Sequence, residues 1–101
     1  MATTSKTLFR GAATTTTTTT LYTVPSSTVT VVTEIIITNT TSAAGTFTIG
    51  LAGTNLATTV AVGGNDSVRI PLKQPLVATN TITGGASATT INFHISGVEI
   101  V

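Results

Sequence analysis

Few side chains in this sequence can do chemistry, and their spacing restricts them further. The charged residues are Lys6, Arg10, Glu34, Asp66, Arg69, Lys73 and Glu99, and His94 is the sole histidine. A histidine on an outward strand face can bind a metal together with its symmetry mates around an axis. The ordinary reading is a solvated or hydrogen-bonded strand residue, so no metal site is expected. Asp66 could serve as an acid, but in "GGNDS" it follows two glycines and an asparagine, which is turn chemistry. Glu34 and Glu99 stand alone on strand faces, with no neighbouring carboxylate to form a general acid/base pair. Asn39 and Asn65 begin N-x-[ST] patterns and read as turn residues. The glycine pairs at 63 and 84 are not followed by a helix, as a phosphate-binding loop would require. Cysteine is absent, which removes thiolate nucleophiles, thiolate metal ligands and disulfides together. An enzyme is not expected, and neither is a cofactor.

Composition explains why so little chemistry is present. Charged residues make up 7% of the 101 residues and the net charge is +1, against about 25% charged in an ordinary soluble domain. Four scattered cations cannot form the basic stripe that nucleic acid demands, so nucleic acid is not expected as a partner. The opening "MATTSKTLFRG" holds no apolar core of signal-peptide length, and strictly apolar runs stop at three residues, as at Ile35 to Ile37. Neither export by a visible signal nor a membrane span is expected, and a protein made in the cytoplasm that ends up in a large assembly fits both. Mean hydropathy is nevertheless positive, at +0.49. A chain so apolar and so weakly charged is expected to associate, either with its own copies or within a larger assembly.

The elements that would position these residues are strands. Thr, Val and Ile dominate, and their β-branched side chains favour a pleated surface. Alternation assigns the faces. Val29, Val31, Ile35 and Ile37 are predicted on one face of "TVTVVTEIIIT", and Thr28, Thr30, Glu34 and Thr38 on the other. Phe47, Ile49 and Leu51 share a face, as do Val60 with Val62, and Val68, Ile70 and Leu72. In the last strand Ile91, Phe93 and Ile95 hold one parity and Val98 and Ile100 the other. A bulge at Ser96-Gly97 would return both groups to the core and leave Asn92, His94 and Glu99 outside. Turn signals at 39 to 45, 52 to 55, 63 to 66, 73 to 75 and 84 to 88 divide the chain into roughly seven or eight strands. These are placed near 7–10, 19–24, 28–39, 46–51, 58–62, 66–72, 76–83 and 90–100. The pattern predicts an all-β fold, an antiparallel β-sandwich of jelly-roll or Ig-like type. Its edges and outer faces, rich in Thr, Ala and Ser, are expected to lack most of the charge that normally discourages strand pairing between molecules.

Residues 11 to 25, "GAATTTTTTTLYTVP", place seven threonines before the first clear strand. A solvated linker is one reading of such a run. Threonine is stiffer than Gly or Ser, and upstream Leu8, Phe9 and Arg10 combine an apolar tip with a cation. Residues 1 to 18 are therefore expected to form an N-terminal arm that contacts partners through Leu8, Phe9 and Arg10, with the sandwich domain spanning residues 19 to 101.

Three stretches carry a family resemblance: "TLFRGAATTTTTTTLYTVPSSTVTVVTEIIITNTTSAAGTFTI", "LKQPLVATNTITGGASA" and "INFHISGVEIV". Together they span nearly the whole chain and resemble small structural proteins of tailed bacteriophages, whose related domains occur in capsid decoration, neck, tail and fibre proteins. The resemblance implies a virion structural protein. Its leading form is a decoration or cement protein on the capsid surface, partnered by the major capsid protein or other virion proteins and homo-oligomeric, with a trimer the commoner arrangement. The alternative it implies is a tail, neck or fibre module with a glycan- or host-binding role. Tyr22 and Phe9 are the only aromatics not assigned to the core, a thin platform for stacking against sugar rings.

Overall fold

A computed structural model describes residues 2 to 101 of the chain. Eight strands follow one another: β1 (Thr3–Ala12), β2 (Thr20–Thr23), β3 (Val29–Asn39), β4 (Gly45–Leu51), β5 (Thr54–Val62), β6 (Ser67–Leu76), β7 (Thr81–Ala86) and β8 (Ile91–Ile100). No helix occurs among the described residues. The strands form two antiparallel four-stranded sheets, sheet A in the order β1-β8-β3-β6 and sheet B in the order β2-β7-β4-β5. Four of the pairings are nested about the β4–β5 connection, namely β4 with β5, β3 with β6, β2 with β7 and β1 with β8. The chain is thus one long hairpin folded over on itself. At its tip Ala52 (φ 52°) and Gly53 (φ 80°) both take the left-handed conformation, whose twist matches that of the flanking strands.

The core lies between the sheets. Ile35, Ile37, Ile91, Phe93 and Ile95 project from sheet A, and Phe47, Ile49, Leu51 and Ile82 from sheet B, all buried. Phe93 meets Phe47 edge-on across the interface, with ring centroids 6.5 Å apart and planes at 73°. The aromatic pair thus joins the two layers at their centre. Val68, Ile70 and Leu72 face this core from the edge strand β6 and stay partly exposed for that reason. Val60 lies opposite the buried Phe47 but is 36% exposed, because β5 is also an edge.

The N-terminal segment differs from expectation. In place of an arm over residues 1 to 18, Thr3–Ala12 is edge strand β1, paired along its length with β8 from Thr3 opposite Ile100 to Ala12 opposite Asn92. One sandwich therefore spans the described chain, and no separate domain begins at residue 19. The threonine run is a crossover between the sheets. Thr14 and Thr19 carbonyls accept from the Ala86 and Gly84 amides of β7 at 2.9 and 3.0 Å, and the Thr14 and Thr19 hydroxyls are 2.6 Å apart. A Cβ on Gly85 would lie 2.4 Å from the Thr16 carbonyl oxygen, so the crossover packs where only glycine leaves room. Gly84 and Gly85 consequently belong to β7 and do not form the predicted turn. The "KQP" turn is likewise displaced. Pro71 and Pro75 sit within β6, an edge strand that tolerates the missing ladder donors, and the chain turns at Ala78-Thr79 instead.

Bulges reassign two faces. The register of β3 shifts between Val32 and Glu34 against both of its neighbours, and that of β1 shifts between Thr7 and Phe9. Thr30 and Val32 point inward with Ile35 and Ile37, leaving Val29 and Val31 outside. Strand β8 itself runs without a bulge, so Gly97 is inward and Val98 and Ile100 are outward. A Cβ on Gly97 would approach the Val31 carbonyl oxygen to 2.4 Å and Leu8 Cδ1 to 2.9 Å, which leaves no space for one. Edge protection is also present. Strand β1 carries Lys6, Arg10 and a bulge, β2 has four residues, β5 is broken between Phe47 and Ile49 of its neighbour with Thr59 at φ 49°, and β6 holds its two prolines.

Candidate docking surface

The reassigned faces put apolar residues on the outside of sheet A. Register aligns Ser5, Val98, Val31 and Pro75 in one row across the four strands, and Thr3, Ile100 and Val29 in the next. Val29 is 38% exposed, and Val77, which follows the end of β6, is 59% exposed. No charged side chain belongs to either row. Apolar side chains clustered on the outer face of a sheet mark a surface that another molecule can cover. The sequence reading missed this cluster because alternation placed Val29 and Val31 on the core face and a bulge expected at Ser96-Gly97 returned Val98 and Ile100 to it. The available signal was the adjacent pair Val31-Val32, which breaks the alternation at the bulge.

Toward the other end of the same face the chemistry changes. Arg10, His94, Ile36 and Arg69 lie in one row across β1, β8, β3 and β6, outward because Ile35, Ile37, Phe93 and Ile95 are inward. The Arg69 guanidinium pairs with Glu34 through Nε, whereas Arg10 makes no ion pair among the described residues. Rows on one face of a strand repeat about every 6.6 Å, so this more polar row lies within one subunit footprint of the valines.

Of the three residues expected to contact partners, the structure brings only Arg10 to this surface. Leu8 sits in the β1 bulge, 7% exposed, as part of the hydrophobic core, and Phe9 packs against that core opposite Ile95. Both are spent on folding because the bulge turns two consecutive apolar residues inward. His94 is outward as expected, and Asp66 is a turn residue whose Oδ1 accepts the Ser67 amide at 2.8 Å. Asn39 is buried, and its side chain ties the β3–β4 connection by donating to the Ala43 carbonyl at 2.7 Å and accepting from the Thr41 amide at 3.1 Å.

Glu99 is the charged residue most displaced from expectation. It lies opposite the inward Thr30 and so points between the sheets at their open end. Its carboxylate accepts from Lys6 Nζ at 3.3 Å and from the Tyr22 hydroxyl, and the Tyr22 oxygen is also 2.9 Å from Thr30 Oγ1. Because Tyr22 belongs to sheet B and the other three residues to sheet A, the cluster clasps the layers together. The Tyr22 bond, and then Lys6, hold the Glu99 carboxyl below its usual range against the opposing effect of burial. Burial, and then the adjacent carboxylate, push the Tyr22 phenol up. Among the described residues no group of three or more His, Asp or Glu side chains is placed to hold a metal, and no helix is long and apolar enough to cross a membrane.

No protein-family model and no curated protein sequence matches the chain. Among solved structures, it is similar to two crystal structures of a pentameric capsid protein isolated from metagenomic phage sequences, each at 21% identity and a TM-score of 0.42. The alignments cover 94% of this chain and 58% and 60% of those chains, so the chain spans less than two thirds of their length.

Proposed function

We propose that the chain is a structural protein of a tailed-phage virion, a decoration protein that binds the outer surface of the capsid shell and stabilises it. The two sheets, in the orders β1-β8-β3-β6 and β2-β7-β4-β5, have the wrapped order of a jelly roll, an architecture used by viral capsid domains among others. The observation that carries the reading is the outward cluster of Val29, Val31, Val98 and Ile100 on a chain with only 7% charge. Covering that cluster removes apolar surface from water, at about 25 cal/mol per Å². A site that exists only on the assembled shell shifts the shell's equilibrium toward assembly by mass action. Arg10 and the Arg69–Glu34 pair form the polar rim, which steers orientation more than it adds affinity. A homo-oligomer, with a trimer the arrangement the family resemblance implies, multiplies a modest single contact through avidity. No catalytic role enters this reading.

The test is occupancy of purified particles stripped of the protein. Val29→Asp places an unpaired charge in the centre of the cluster and is expected to abolish rebinding while the isolated protein melts as wild type does. Arg10→Ala is expected to slow association, with the difference shrinking as salt rises. Full occupancy by the Val29→Asp protein would overturn the assignment of this face.

A further inference from the structure

The outer face of sheet B carries a groove built by the two irregular segments of the chain. Its floor comes from the central strands β4 and β7, where Thr48 and Thr83 point away from the core residues Phe47, Ile49 and Ile82, and Gly50 lies opposite Thr83 in the register. On one side the threonine crossover raises Thr17 and Thr18 above the sheet. Across the floor, the irregular stretch of β5 raises Thr58 and Thr59, with Asn55 beside them and Thr59 in the left-handed conformation. The groove is open to solvent on one side and offers about 430 Å³, within the range of roughly 300 to 1,000 Å³ that small-molecule sites occupy. Gly50 keeps the floor low, since a Cβ there would lie 3.0 Å from Thr83 Oγ1 and 3.3 Å from Asn55 Oδ1.

The lining selects a chemical class. None of its residues is charged, so an ionic ligand would enter without a counter-charge. Six threonines and one asparagine set hydroxyls and a carboxamide among a larger expanse of methyl and methylene surface, so a purely apolar ligand would strip water from those polar groups and leave them unpaired. Thr48 Oγ1 accepts the Thr59 amide at 3.0 Å, while the remaining threonine hydroxyls and the Asn55 amide make no side-chain hydrogen bond among the described residues. They are available as paired donors and acceptors, with threonine methyls between them. A ligand that matches both is neutral, carries many hydroxyls and has C–H faces. We propose that this groove binds a neutral saccharide of about one or two rings. No aromatic ring lines the groove, so a single site is weak and useful binding comes from several copies acting together. This inference stands apart from the virion reading, because the groove and the valine cluster lie on opposite sheets.

The experiment is an amide chemical-shift titration of the full chain with glucose, galactose, N-acetylglucosamine, maltose and lactose. Sialic acid, glycerol and a short threonine-rich peptide serve as comparison ligands. Saturable shifts at Thr18, Asn55, Thr59 and Thr83 are expected with at least one neutral sugar, and none of comparable size with the comparison ligands. Asn55→Ala and Thr18→Ala are each expected to weaken binding about fivefold, the worth of one hydrogen bond. Gly50→Ala is expected to abolish it by filling the floor, and Thr7→Ala, on the other sheet, to leave it unchanged. Asn55 is exposed, so its variant reads the same site should Gly50→Ala fold poorly. Absence of saturable shifts with every neutral sugar would overturn the proposal. So would equal response to sialic acid or glycerol, or shifts confined to the peptide, which would make the groove a protein interface. Retained shell occupancy alongside no sugar binding would sink this proposal alone.

Discussion

Truncating Phe93 while separately truncating Val98 tests how strand β8 faces the core. Phe93 has no exposed surface and stacks edge-on against Phe47 at 6.5 Å. Phe93→Ala therefore loses the transfer energy of the ring and leaves a cavity bounded by both sheets, at a cost of about 3 to 5 kcal/mol. The aromatic contact accounts for roughly 0.5 to 1.5 kcal/mol beyond area burial, which favours the upper half of that range. A domain of this size is stable by about 5 to 15 kcal/mol, so the variant approaches the limit of folding. With a urea m-value of about 1.5 kcal/mol/M, the denaturation midpoint falls by roughly 2 to 3 M. Val98, five residues along the same strand and outward, is expected to cost under about 1 kcal/mol as alanine, since its side chain leaves only a half-covered surface. Urea titrations of both variants, followed by circular dichroism at one temperature, give the comparison. Equal losses would mean that Val98 is a core residue, and that β8 does bulge at Ser96-Gly97. An unchanged midpoint for Phe93→Ala would refute the core assignment itself.

The same structure yields three further expectations. Removing residues 1 to 12 deletes β1 and the core side chain Leu8, so the truncated chain is expected to lose its β-sheet signal in circular dichroism; a folded, cooperative product would restore the arm reading. Gly85→Ala forces a methyl group against the Thr16 carbonyl oxygen and is expected to cost roughly 1 to 3 kcal/mol, seen as a lower melting temperature and faster hydrogen exchange at Ala86. Acid should weaken the clasp at the open end. The folded Glu99 carboxyl titrates below its unfolded value of about 4.3, so its contribution is complete above that value and disappears as pH falls through it toward the folded one. Glu99→Gln should then flatten the acid limb of stability against pH, and an identical acid limb in wild type and variant would count against the clasp.

Class and strand count were legible because they rest on local properties. β-Branched residues, period-two alternation and turn residues act over a few positions, and they marked an all-β chain of roughly seven or eight strands, the Phe47 and Phe93 core parity and the turn role of Asp66. Period two also fails locally wherever a strand acquires an extra residue. The β3 bulge arises opposite Ser96-Gly97 of β8 and the β1 bulge opposite Ile95-Ser96, beside Gly97, where a Cβ would strike the Val31 carbonyl oxygen, a contact between segments more than sixty residues apart. One residue of slip exchanged the faces of Val29, Val31, Val98 and Ile100, turning four core assignments into a surface. The threonine run shows the same division. Its sequence permits a tether, a strand or a turn, since threonine alone supplies no preference strong enough to choose. The choice is made by β7, whose Gly84 and Ala86 amides need acceptors and whose Gly85 leaves room for the chain to supply them. Likewise Glu99 reads as an outer-face charge until β1 and β2 bring Lys6 and Tyr22 to it across the open end of the sandwich. Local propensity thus determined what the segments are, and long-range pairing decided which of their faces the rest of the world can touch.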